Sequence, residues 1–130
     1  MRIGLFHSIH WPAGSDPSEQ YEEALTQACH ADVLGFDSVW LTEHHVSRHG
    51  TVSDSLMVLA HLAARTSTVR LGTAVSVLPL HHPLHFAEAA ATVDSCDAQD
   101  WGVLLRAAAR EIMSSLDLFA REVLPVVREM

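Results

Sequence analysis

The sequence predicts an α/β domain with a parallel sheet, on three observations. Short apolar runs rich in β-branched residues fall near 2–8, 37–42 and 69–78. Between and after them lie longer segments whose apolar residues recur at helical spacing, giving strand–helix units of about 30 residues. The middle run opens directly into a cluster of ionisable groups, Glu43-His44-His45, as strands do where α/β proteins build sites.

The elements follow in order. Arg2 to Ser8 reads as the first strand, and His10-Trp11-Pro12-Ala13-Gly14-Ser15 as a loop. Asp16-Pro17-Ser18-Glu19 announces a helix: Asp16 caps it, Pro17 suits the first helical position, and Glu19 is placed for a capping box. Tyr21, Ala24, Leu25, Ala28 and Cys29 share one face of it, and Gly35 is its stop. Asp37 to Thr42 is the second strand. A polar loop through Arg48-His49-Gly50 leads to a second helix, capped by Ser53 or Asp54 and buried through Leu56, Leu59, Ala60 and Ala63, with Met57 widening the stripe. Val69 to Leu78 is the third strand, ended by Pro79. The third helix starts at Pro83 and carries Phe86, Ala87, Ala90 and Val93. After Asp94 a polar joint follows, and no strand is expected from Trp101 onward. Leu105, Ala108, Ile112, Leu116, Phe119 and Val123 trace one long amphipathic helix, kinked or restarted at Pro125.

Composition narrows the function. The 130 residues suffice for one domain, and 48% hydrophobic content fits an ordinary globular chain. Eight basic against sixteen acidic residues give a net charge of −8, which argues against nucleic acid and anionic membrane as partners. Cys29 and Cys96 match no metal or redox spacing and are expected as reduced thiols. The start turns polar too early for a signal peptide, and no stretch has the length of a membrane span, so the cytoplasm is the expected compartment.

The candidate chemistry sits at the second strand. Side chains alternate along a strand, so Val39 and Leu41 face covering helices while Trp40, Thr42 and His44 look toward the centre of a curved sheet. His44 stands at its carboxyl rim. The same alternation turns Glu43 away from His44, toward a neighbouring basic residue or a subunit face. His7 and His10 are candidates for lining a pocket, and Trp40 for filling the interior. A metal reading would use His44, His45 and His49, or His81, His82 and His85, as imidazole ligands. Histidine-rich loops of this kind are more often solvated, so no metal site is assigned.

The first 94 residues resemble the bacterial luciferase-like monooxygenase family. The carrying motifs are Gly35-Phe36-Asp37-Ser38-Val39-Trp40-Leu41-Thr42-Glu43-His44-His45 and Leu71-Gly72-Thr73-Ala74-Val75-Ser76-Val77-Leu78-Pro79. His82-Pro83-Leu84 and Ala91-Thr92-Val93-Asp94 continue the match, and Ser115 to Pro125 is similar to the family's closing helix. The resemblance implies a (β/α)8 TIM barrel and a flavin-dependent monooxygenase, which uses reduced flavin mononucleotide (FMN) and O2 to oxidise a small organic substrate, an aldehyde in the luciferase branch. A deazaflavin is the alternative cofactor. It further implies that His44 is the catalytic acid/base, a task imidazole suits near neutral pH. Ala74–Val75 would be a cis peptide packed on the flavin ring.

A closed barrel of this kind takes about 250 residues. The chain is therefore expected to be a partial, internally truncated barrel. Residues 1–96 would supply three βα units, and 97–130 the polar joint and closing helix. The resemblance also implies a homo-oligomer through the alanine-rich helices at 54–66 and 83–94. The alternative function is a non-catalytic truncated remnant or dimerisation module of the same family.

Overall fold

Parallel pairing sets the frame of the molecule. The computed structural model describes residues 1–96, 102–105 and 121. In chain order these form β1 (Gly4–His7), α1 (Pro17–Val33), β2 (Ser38–Leu41), α2 (Ser55–Ala63), β3 (Arg70–Ser76), a 3-10 turn (Leu78–Leu80), α3 (Pro83–Cys96) and β4 (Gly102–Leu105). The sheet runs β1-β2-β3-β4 with every pair parallel. A strand order that never doubles back, with the helices of successive units in one core, is that of a barrel wall.

The expected aspartate caps form, whereas Glu19 makes no return bond of a capping box among the described residues. Asp16 accepts from the Ser18 N–H at 2.9 Å with Pro17 in the first turn, and this backbone bond holds its carboxyl below the usual range. Of the two candidates for the second helix, Asp54 is the cap, accepting from Leu56 N and Met57 N. Gly35 follows the end of α1 at φ +78°, a left-handed conformation that favours glycine. From there the chain turns straight into β2, with Phe36 N–H donating back to Ala31 O.

Register decides which residues share a face. Leu5 pairs with Val39 and Leu71 lies beside it on β3, while Phe6, Trp40 and Gly72 form the next row. Val39, Leu41 and Leu71 are buried in the main core with Leu25 and Ala28 of α1, Leu59 and Leu62 of α2, and Phe86 and Ala90 of α3. Phe6, on the opposite face, is 59% exposed. One face of the sheet thus carries the core and the other forms an open, partly apolar surface. His7 is level with Leu41 and therefore on the helix side. Burial pushes its imidazole below the ordinary value, and Glu23 partly offsets this.

One expectation is corrected. The pattern from Trp101 predicts helix, including Leu105, yet Gly102–Leu105 is a fourth strand. It lies parallel to β3, with Thr73 beside Val103 and Ala74 beside Leu104. A glycine and three apolar residues fit a strand and a helical stripe equally well, so periodicity alone does not separate them. The open edge of β3 selects the strand, because pairing there satisfies backbone groups on both strands. The joint expected at 95–100 is helical at its first two residues, because α3 runs to Cys96. Its remainder lies outside the described residues, as do 106–120 and 122–130, where the long helix is expected.

Asp32 is a polar tie that the pattern does not reveal. It sits in the last turn of α1, where the helix dipole disfavours a negative charge. Its carboxylate accepts from Ser67 N (2.9 Å), Thr68 N (2.9 Å), Thr68 Oγ1 (2.7 Å) and Val69 N (2.7 Å). Burial works against its ionisation, but the Thr68 hydroxyl and the three backbone N–H groups prevail, and its carboxyl lies below the usual value. The segment that enters β3 is thereby fastened to the end of α1.

Asp32→Ala is expected to lower unfolding free energy by about 1 kcal/mol, the net scale of hydrogen bonds whose donors regain water when the acceptor is removed. Because the folded pKa is the lower one, the tie contributes fully above the unfolded value near about 4 and fades as pH falls through the folded value. Urea unfolding of wild type and Asp32→Asn from pH 7 to 3 checks this. The wild type is expected to lose more stability across the acid range than the variant.

Candidate active site

The site grows out of the carboxyl ends of β1, β2 and β3. Beyond β2 the ladder continues for one more bond, Thr42 N–H to His7 O at 3.0 Å. Thr42, Glu43 and His44 therefore keep the strand's alternation for three more residues. Thr42 is buried, and by that alternation lies on the face of Trp40. Its Oγ1 has no hydrogen-bond partner among the described residues. His44 is half-buried, and its backbone N–H donates to Val52 O at 2.7 Å.

Gly50 explains how His44 is held. A Cβ at that position would lie 2.6 Å from the His44 Cγ, so only glycine lets the loop close over the imidazole. Between them Val46 is fully exposed at φ +49°, a left-handed conformation that is strained for a β-branched residue. The turn across Ser47–Gly50 closes as an isolated antiparallel bridge.

Two loops fuse around this point. The loop after β1 joins the loop after β2 through Trp11 N–H to Arg48 O (2.9 Å) and Thr51 N–H to Ile9 O (2.9 Å). Tyr21 of α1 donates its hydroxyl proton to Thr51 O at 2.9 Å. Between them is a cleft of about 490 Å³, walled by Trp11, Tyr21, His44, Arg48 and Gly50. His44 is thus the expected site residue that lines the cleft. Ala74 and Val75, both half-buried, lie on β3 and are not among its lining residues. The Ala74–Val75 peptide is cis, as expected.

Glu43 points to the helix side, as the alternation predicts, and its partners are two histidines. It is buried, and its Oε1 accepts from His45 Nε2 at 2.7 Å and His81 Nε2 at 2.8 Å. A carboxylate oxygen only accepts, so each imidazole donates from Nε2. Oε2 takes the Val77 N–H at 3.1 Å. One side chain therefore ties the end of β2 to the turn that follows Ala74–Val75. The sequence shows the charge of Glu43 but not its partner His81, which is 38 residues away.

The histidine sets weighed for metal have other roles. His45 and His81 turn to Glu43, and His82 meets His85 edge-on with ring centroids 5.1 Å apart. Among the described residues no group of three or more His, Cys, Asp or Glu is arranged to hold a metal ion. His10 is exposed, and Cys29 carries a free thiol. No helix among the described residues is long and apolar enough to cross a membrane.

Glu43→Ala is expected to cost about 1–3 kcal/mol in a denaturant titration, since it strips a buried acceptor from three donors. Glu43→Gln, which keeps one acceptor oxygen, should fall between the alanine variant and wild type.

Comparison with known proteins places this architecture. A family model described as luciferase-like monooxygenase matches residues 1–96. The 4-hydroxyprotoasukamycin monooxygenase of Streptomyces nodosus subsp. asukaensis is 38% identical over 92 residues, 71% of this chain and 25% of that protein. The oxygenase component of the flavin-dependent trigonelline monooxygenase of Acinetobacter baylyi is 35% identical over 97 residues, 72% of this chain and 26% of that protein. The chain thus spans about a quarter of the length of these relatives. Among solved structures, the monooxygenase RslO1 from Streptomyces bottropensis matches with TM-score 0.78 and 30% identity, over 98% of this chain and 42% of that one. The oxygenating constituent of 3,6-diketocamphane monooxygenase from Pseudomonas putida, solved with FMN, matches with TM-score 0.77 and 20% identity, over 89% and 32%. An F420-dependent secondary alcohol dehydrogenase matches with TM-score 0.62 and 24% identity, over 80% and 31%. On the family model, which covers most of its length, this chain belongs to the luciferase-like monooxygenase family.

Proposed function

We propose that the carboxyl end of this sheet binds the ring of FMN and serves oxidation of a small organic substrate by O2, with His44 as the proton-transfer group. The observation that carries this reading is His44 lining a cleft at the rim of β2, one strand from Ala74 and Val75 of β3. The residues fit a flat heteroaromatic group. Ala74 adds only a methyl beyond its backbone, and the face it shares with Phe6 and Trp40 is open and apolar. The Thr42 hydroxyl, buried and without a partner among the described residues, is a donor in search of an acceptor such as a ring carbonyl.

A reduced flavin supplies the electrons that activate oxygen. The chain's own residues would do the rest. Ala74 and Val75 would support the ring, and Thr42 would orient its polar edge. His44, held by Gly50 and by its bond to Val52 O, would take or give a proton at an imidazole nitrogen facing the cleft. A flavin is favoured over a deazaflavin because a relative 35% identical to this chain is named a flavin-dependent monooxygenase.

Self-association belongs to the same reading. Met57 of α2 is 72% exposed and Leu84 of α3 is 53% exposed, on two helices that pack against each other. Large apolar side chains on neighbouring surfaces favour a second copy of the chain as cover.

Two experiments test these proposals. FMN, oxidised and reduced, is expected to bind saturably; Ala74→Leu should weaken it at least tenfold. His44→Ala should leave binding within a few-fold but cut substrate oxidation about 10²–10⁴-fold. A folded chain that ignores both forms of FMN would rule the reading out. Light scattering coupled to size exclusion should give a dimer mass for wild type and a monomer mass for Met57→Glu.

A further inference from the structure

The cleft beside His44 has a chemistry of its own. Its lining includes two aromatic rings and a guanidinium, and no carboxylate, in a chain where acidic residues outnumber basic ones two to one. The Arg48 guanidinium carbon lies 4.4 Å from the centroid of the Trp11 ring. A cation–π contact of this kind does not consume the guanidinium N–H groups, which remain donors. Among the described residues Arg48 makes no ion pair and no side-chain hydrogen bond. The walls are already braced, because Trp11 and Arg48 share a backbone bond and Tyr21 is committed to Thr51. The volume, about 490 Å³, is within the range of small-molecule sites.

We infer that this cleft binds a small arylcarboxylate, its ring against Trp11 and Tyr21 and its carboxylate on the Arg48 fork. Planar bidentate pairing of guanidinium and carboxylate gives the specificity, and the aromatic walls give the apolar contact. The assignment of this ligand as substrate rests on the function proposed above. Its binding stands on the cleft alone and is measured without flavin.

The experiment is calorimetric titration of the flavin-free chain with benzoate and with benzamide, its neutral counterpart. Benzoate is expected to bind at least tenfold more tightly. Arg48→Met should remove that preference while leaving benzamide unchanged, and Arg48→Lys should keep part of it. Val46→Asp, a surface change at a φ that aspartate tolerates, puts a carboxylate at the cleft mouth and should weaken benzoate several-fold. Equal binding of the two ligands, no benzoate binding by the folded chain, or an Arg48→Met chain that binds benzoate normally would overturn the inference. FMN titration of Arg48→Met separates the two proposals. If it loses FMN but keeps riboflavin, and inorganic phosphate displaces benzoate, Arg48 holds the cofactor's phosphate and the arylcarboxylate assignment fails. Normal FMN binding with lost benzoate binding supports it.

Discussion

Two residues of β2, Val39 and Leu41, set the orientation of everything around them. Both are essentially inaccessible and pack in one core with side chains from α1, α2 and α3. Burying each is worth about 1.5–3 kcal/mol. Because strand side chains alternate strictly, that burial turns Trp40 to the open face and Glu43 back to the helix side, with His44 at the rim. A one-residue slip would expose Val39, Leu41 and Glu43 and turn His44 to the helix side, so packing protects the geometry of the candidate site.

Polar ties then fix what hydrophobic burial leaves loose. Asp32 fastens the entry to β3, and Glu43 fastens its exit, so the strand carrying Ala74–Val75 is held at both ends. Each carboxylate answers several donors at once, which is how a buried or half-buried charge is kept without a large desolvation cost. The cleft depends on a third set of ties, between the loops after β1 and β2. Those ties are backbone bonds, so among the described residues the Arg48 guanidinium, over Trp11, and the His44 ring make no side-chain hydrogen bond.

Much of the site was legible in the residues. The strand run, its alternation and the Glu43-His44-His45 cluster placed His44 at a carboxyl rim, and the motif around Ala74–Val75 implied the cis peptide that is present. The cleft itself was not legible. Trp11, Tyr21 and Arg48 come from a loop, a helix and another loop, and each has an ordinary local explanation in a loop or on an amphipathic face. Arg48 reads as one polar loop residue among several until the backbone bond to Trp11 brings the two together.

The sequence by itself determined the order of the first three βα units, the Asp16 cap of α1 and which face of β2 is apolar. These rest on local propensity and on periods of 2 and 3.6 residues, both properties of short stretches. Only the tertiary structure decided that Gly102–Leu105 is a strand, that Glu43 meets His81, and that Arg48 lies over Trp11. Each of those outcomes depends on a partner distant in the chain: an open strand edge, a buried donor, an aromatic face. Spacing along one segment carries no information about such partners.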